Sequence, residues 1–253
     1  SDSVLMSSLR ILSDLLNKHY QRKVIILIDE YDVPLAKAND KGYYDQMVTL
    51  IRNMFEQALK TNEALYFAVL TGCLRVAKES IFTGLNNPKN LSITTVRFDE
   101  YFGFTNEEVL ALCEKNDEIK FSDLESWYNG YLTTKGKKIY NPRSVIKALQ
   151  NGYCESYWTN TGAMDEVTDY LKYNTLEIRE DVIEMVSGEE VDIFIDEEFR
   201  AGQREPRTKE EIYSAMIILG FLSYHDGYLR IPNRELMKEF EKGEVNILIS
   251  TTV

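Results

Sequence analysis

The chain has 253 residues, with 29 Lys and Arg against 41 Asp and Glu, a net charge of −12. A hydrophobic content of 44% with 11% aromatics supports a folded core and excludes a disordered chain. The acidity argues against a surface built to coat nucleic acid and excludes a polybasic membrane anchor. Three scattered cysteines (Cys73, Cys113, Cys154) and only His19 and His225 leave neither a disulfide frame nor a His-rich metal centre. They predict free thiols in a reducing, cytoplasmic setting. The longest apolar run, Val24 to Ile28, is far too short for a membrane span. No basic, apolar leader opens the sequence, which reads as an interior piece of a longer protein.

Leu5, Leu9, Leu12 and Leu16 recur at helical spacing behind Asp2 and Ser3, which can cap the helix start. Val24 to Ile28 is apolar and β-branched without alternation, the pattern of a strand covered on both faces. Met47, Leu50, Ile51, Met54, Phe55 and Ala58 mark a second amphipathic helix. A second strand, Leu65 to Leu70, runs into Thr71-Gly72. Helix, strand, helix, strand is the rhythm of α/β architecture.

After about Phe104 the pattern turns mainly helical. Thr105 and Glu108 form a capping-box signature, and Asp123 to Tyr131 reads as an aromatic-rich helix. Asn141-Pro142 opens another helix, and residues 165–186 and 209–219 read as two more. Residues 221–224 and 228–231 flank His225-Asp226-Gly227 as a hairpin. With a helix before it and one from Asn233 onward, this resembles a winged-helix unit. Glu189 to Arg207 reads as a mobile surface loop.

The sharpest chemical feature is the apolar strand that ends in Asp29-Glu30, with Asp32 close behind. In an open parallel sheet, ligands gather beyond the carboxyl ends of the strands. An Asp there can hold the hydration shell of Mg²⁺ beside triphosphate oxygens, and the neighbouring Glu can polarise the attacking water. This is the Walker B pattern of P-loop nucleotidases, although solvated acids at a strand exit have the same appearance. Thr71 ends the second strand and can sense the γ-phosphate, with Arg75 four residues on as a candidate for charge stabilisation. The plainer reading of that pair is a turn and a solvated helix face.

The run Ile-Asp-Glu-Tyr-Asp-Val-Pro-Leu (28–35) and the stretch from Leu70 to Asn87 resemble the bacterial AAA-ATPase-like family. Its members are predicted ATPases often fused to a restriction-endonuclease-like nuclease domain. Further matching blocks are Phe-Asp-Glu-Tyr-Phe-Gly-Phe-Thr (98–105), Trp-Tyr-Asn-Gly-Tyr (127–131) and Tyr-Asn-Pro-Arg-Ser-Val (140–145). Tyr157 to Gly162 and Ile231 to Glu235 complete the series in family order. The resemblance implies an α/β fold: an incomplete P-loop NTPase parallel sheet over 1–104, then a mainly helical lid and winged-helix-like region over 105–253. It implies ATP and Mg²⁺ as cofactors of the intact protein, with Asp29 at the metal and Glu30, Thr71 and Arg75 around the phosphates. A nucleotide is the expected partner, with a protein partner or self-association beside it, and no membrane. The competing reading is a nucleotide-independent protein- or DNA-interaction module.

A Walker A loop needs Gly-Lys-Ser/Thr, whose backbone N–H groups and Lys cradle the phosphates. Gly136-Lys137-Lys138 has the wrong third residue and lies in the helical half. The family carries this loop upstream of the matching region. Glu239 and Glu241-Lys242 have the wrong spacing for a nuclease metal site, a domain the family places downstream. The aromatic block 127–131 reads as core rather than a base-stacking platform, and Lys135 to Lys138 with Arg143 as a solvated basic turn. The last helix carries Glu235, Glu239 and Glu241, which would repel phosphates. With the cradle missing, calorimetry of this chain with Mg-ATP is expected to show no binding in the micromolar range; micromolar affinity would overturn the reading.

Overall fold

A computed structural model describes residues 2–72, 81–82, 85, 88–93, 95–116, 118–158, 175–194 and 208–242. The described residues fall into two compact units, one up to Lys89 and one from Asn90 onward. The fold is α/β, with small sheets among helices that span about half the chain. Among the described residues no helix is long and apolar enough to cross a membrane.

The first unit follows the expected rhythm: α1 (Asp2–Tyr20), β1 (Val24–Ile28), α2 (Val33–Asp40), α3 (Tyr44–Leu59) and β2 (Leu65–Leu70). β1 and β2 pair in parallel, with Ile26 opposite Ala68 and Ile28 opposite Leu70. That face packs on a core of Leu35 from α2, Val48, Ile51 and Phe55 from α3, and Ile81. The opposite face differs from the sequence expectation of burial on both sides. Leu27 is 72% exposed and Ile25 50%, and Phe67 and Val69 beside them are also exposed. Residues of α2 and α3 line the buried face, so an unbroken apolar run here marks a strand pair whose other face is largely exposed.

In the second unit a 3₁₀ turn (Asp99–Phe102) leads into α4 (Asn106–Cys113), α5 (Phe121–Tyr128), β3 (Asn129–Leu132), β4 (Lys138–Tyr140) and α6 (Pro142–Asn151). Then come α7 (Thr175–Val186), β5 (Val191–Asp192), α8 (Lys209–Ile218), β6 (Ser223–His225), β7 (Tyr228–Arg230) and α9 (Arg234–Lys242). The caps read from sequence at Thr105 and Asn141 are present. Thr105 Oγ1 accepts from the Glu108 N–H at 3.3 Å while Glu108 Oε2 accepts from the Thr105 N–H at 2.8 Å. Asn141 Oδ1 accepts from the Ser144 N–H at 3.2 Å, ahead of Pro142. The 223–225/228–230 hairpin is present too, and β5 adds a third antiparallel strand in the order β5-β7-β6.

Two expectations are corrected here. The stretch from Glu189 is not all surface loop, because Val191 and Asp192 pair with Leu229 and Tyr228; residues 195–207 lie outside the described ones, as does 165–174 of the expected long helix. The helix expected over 123–131 ends at Tyr128, and Asn129 to Leu132 becomes a strand paired with Lys138 to Tyr140. The cause is local. Gly130 has φ +126, outside helical space, and a Cβ on it would lie 1.8 Å from the carbonyl oxygen of Pro232. Only glycine admits that approach. Gly130→Ala is therefore expected to cost at least about 3 kcal/mol, by strain and overlap together, measured as the loss of unfolding free energy in urea.

Candidate functional site

The parallel register brings the carboxyl ends of β1 and β2 to the same edge. Asp29 and Glu30 follow Ile28, Thr71 follows Leu70, and all three are exposed. The Thr71 hydroxyl donates to Asp29 Oδ1, and the Glu30 N–H donates back to Thr71 Oγ1 at 3.3 Å. Backbone bonds carry the pairing one step past the strands: Thr71 N–H to the Ile28 carbonyl at 2.9 Å, and Tyr31 N–H to the Thr71 carbonyl at 3.0 Å. Glu30 has φ +51, a left-handed conformation in which non-glycine residues are uncommon. The chain therefore leaves extended strand geometry at Glu30.

Asp32 is buried just ahead of α2. A Cβ on Gly72 would lie 2.7 Å from Asp32 Oδ1 and 2.7 Å from the Tyr31 ring, so glycine after Thr71 is what lets these two side chains close over the strand end. The structure thus brings Asp29, Glu30 and Thr71 together and sets the buried Asp32 against Gly72, the residue after Thr71. Arg75 and Cys73 lie outside the described residues. Among the described residues no group of three His, Cys, Asp or Glu side chains gathers closely enough to hold a metal ion. The arrangement is two exposed carboxylates beside a hydroxyl. That donor set suits a hydrated cation held chiefly by substrate phosphates, not a protein cage. An open recess of about 550 Å³ lined by Leu16, Tyr20, Arg22, Lys23 and Val24 lies at the other end of β1 and takes no part.

Among the described residues, the second unit offers no comparable constellation. Cys113 and Cys154 are free thiols, and burial pushes both thiols up, which disfavours the reactive thiolate. The aromatic block is core: Tyr128 is fully buried, its hydroxyl donates to the Glu155 carbonyl at 2.9 Å, and the Tyr131 hydroxyl donates to the Gly220 carbonyl at 2.9 Å. The Lys135–Lys138 turn is a structural turn. Buried Asp99 accepts from the Thr134 N–H at 2.9 Å and its hydroxyl at 2.6 Å, and Lys137 pairs with Glu100 at 3.2 Å.

Two of the three acids of α9 need correction, while Glu241 is exposed as expected. Glu235 and Glu239 are 1% and 3% exposed, so they point inward and repel nothing at the surface. The Glu235 carboxylate is a hub: Ser144 Oγ donates to it at 2.8–2.9 Å, and the Tyr157 and Trp158 N–H groups reach Oε1 at 2.7 and 2.8 Å. Arg234 and Lys238 lie instead over the Trp127 ring, 5.1 and 4.2 Å from its centroid. Sequence reasoning missed this hub because a Glu on an amphipathic helix normally faces water.

Residues 2–82 match the AAA-ATPase-like family, described as predicted AAA-ATPase, so the resemblance read from the sequence holds over that stretch. The later blocks, from residue 98 onward, lie beyond it. A curated relative, "Uncharacterized protein in vnfD 5'region" of Azotobacter chroococcum mcd 1, is 28% identical over 151 residues. The match covers 59% of this chain and 29% of that protein. No solved structure matches.

Burial pushes the Glu235 carboxyl above its ordinary value, and Glu239 adds to the shift against the donors from Trp158, Ser144 and Tyr157. A raised native value means that the folded state holds this proton more tightly than the unfolded one. The contribution to stability is full below the unfolded value and is lost as pH rises through the native one. Glu235→Gln keeps an acceptor and carries no charge. Urea titrations from roughly pH 4 to pH 8 are expected to show the variant gaining on the wild type as pH rises; parallel curves would overturn the assignment.

Proposed function

With the AAA-ATPase-like sequence of residues 2–82 as the premise, we propose that the first unit is part of the nucleotide-binding core of a Mg²⁺-dependent ATPase. One observation carries the reading. An exposed Asp-Glu pair and a threonine hydroxyl are joined at the shared carboxyl edge of two parallel strands. That is where open α/β sheets gather ligands. Asp29 would orient the water ligands of the metal. Glu30, exposed at the same edge, would polarise the attacking water, and Arg75 would offset charge on the transferred phosphoryl group. Mg²⁺ bound with ATP neutralises the phosphate oxygens.

The phosphate cradle is proposed to come from a segment of the longer protein ahead of this stretch, since Gly136-Lys137-Lys138 runs from a turn into β4 of the second unit. Exposure of Ile25, Leu27, Phe67 and Val69 supports the same view: parallel strands are ordinarily covered on both faces. We read the second unit as the lid, ending in a winged-helix-like arrangement of α8, β6, β7 and α9.

Glu30→Gln in the longer protein is expected to keep ATP binding while lowering the steady-state hydrolysis rate by about a hundredfold or more. Unchanged turnover would remove Glu30 from this role. Absence of nucleotide binding in the wild type would favour the nucleotide-independent interaction module.

A further inference from the structure

We infer that Thr71 is a positioning residue that clamps the Ile28–Tyr31 turn and so presents Asp29 and Glu30, and that direct contact with phosphate is not its task. The inference rests on the ATPase reading for its meaning, though the clamp itself is a property of this chain.

Four hydrogen bonds join this one residue to four consecutive residues of the neighbouring strand end. The Thr71 N–H donates to the Ile28 carbonyl at 2.9 Å, and its hydroxyl donates to Asp29 Oδ1. The hydroxyl accepts from the Glu30 N–H at 3.3 Å, and the Thr71 carbonyl accepts from the Tyr31 N–H at 3.0 Å. A hydroxyl has one proton to give. Here it is given to Asp29, so what faces outward from Thr71 Oγ1 is acceptor character. Ionised phosphate oxygens accept and do not donate, so a direct contact with Thr71 would require the hydroxyl to release Asp29.

The backbone needs the clamp as much as the carboxylate does. Glu30 at φ +51 holds a left-handed conformation unfavourable for a residue with a side chain, and such residues persist where the surroundings over-determine them. Bonds to residues on both sides of Glu30, and to its own N–H, do this. The donor to Asp29 fixes one carboxylate rotamer, and the acceptor for Glu30 fixes the turn that carries the second. One side chain sets the relative placement of both acids.

Two substitutions separate the clamp from a phosphate contact: Thr71→Val keeps shape and loses the hydroxyl, and Thr71→Ser keeps the hydroxyl. In this chain, residue-resolved amide hydrogen exchange is expected to speed up about tenfold at Glu30 in Thr71→Val. Thr71→Ser should stay near wild type, and the Tyr31 amide, held by a backbone carbonyl, should move little in either. An unchanged Glu30 amide in Thr71→Val overturns the clamp. In the longer protein, Thr71→Val is expected to lower kcat by about ten- to a hundredfold and to raise the Mg²⁺ concentration for half-maximal turnover about tenfold. ATP affinity should stay within about twofold, and Thr71→Ser should restore both kinetic values. Weakened ATP binding with an unmoved Mg²⁺ dependence would overturn the inference in favour of direct phosphate contact. A wild type without turnover sinks the ATPase reading and leaves the exchange measurement to decide the clamp.

Discussion

The parallel pairing of β1 with β2 is the constraint on which the candidate site depends. In this register Ile28 sits opposite Leu70, so the residues that follow them, Asp29 and Thr71, emerge at the same level and on the same edge. A shift of one residue would move each side chain to the opposite face and part the two. The hydrophobic pattern enforces the register, because Ile26, Ile28, Ala68 and Leu70 turn toward α2 and α3 while their neighbours do not. The chemistry of the edge is therefore held by packing several residues away from it.

The second unit rests on a different kind of constraint: close approach and buried polar satisfaction. Gly130 meets Pro232, Phe104 and Tyr140 exchange backbone hydrogen bonds at 2.9 and 3.1 Å, and Glu235 gathers Ser144, Tyr157 and Trp158. These contacts pair the sequence blocks 98–105 with 140–145, 127–131 with 231–235, and 140–145 and 157–158 with 231–235. Blocks that look like isolated motifs along the chain are two halves of the same joints. Their residue types are demanding because each joint admits little else: a side chain at Gly130 overlaps a carbonyl, and an apolar side chain at 235 strands two N–H groups away from water.

Local signals were legible where the physics is local. The capping box at Thr105 and Glu108 and the Asn141-Pro142 helix start follow from nearby hydrogen-bonding needs. The Asp226-Gly227 hairpin is of the same kind, with positive φ at both positions. The acidic strand exit at Asp29 and Glu30 was visible for the same reason. The end of α5 at Tyr128 was not, since the residue that stops it is answering to Pro232, a hundred positions away. The inward turn of Glu235 was also hidden, because an acid on a helix reads as surface until its donors are known.

The sequence by itself determined the α/β alternation of the first unit, the identity of the acids and the threonine, and the caps that set helix starts. Each depends on neighbours within a few residues or on a simple periodicity. Only the tertiary structure decided that Thr71 bonds Asp29 and Glu30, that one face of the β1–β2 pair is bare, and that Glu235 is a buried hub. These follow from contacts between residues 41 to 91 positions apart, and no local pattern encodes the partner of a hydrogen bond.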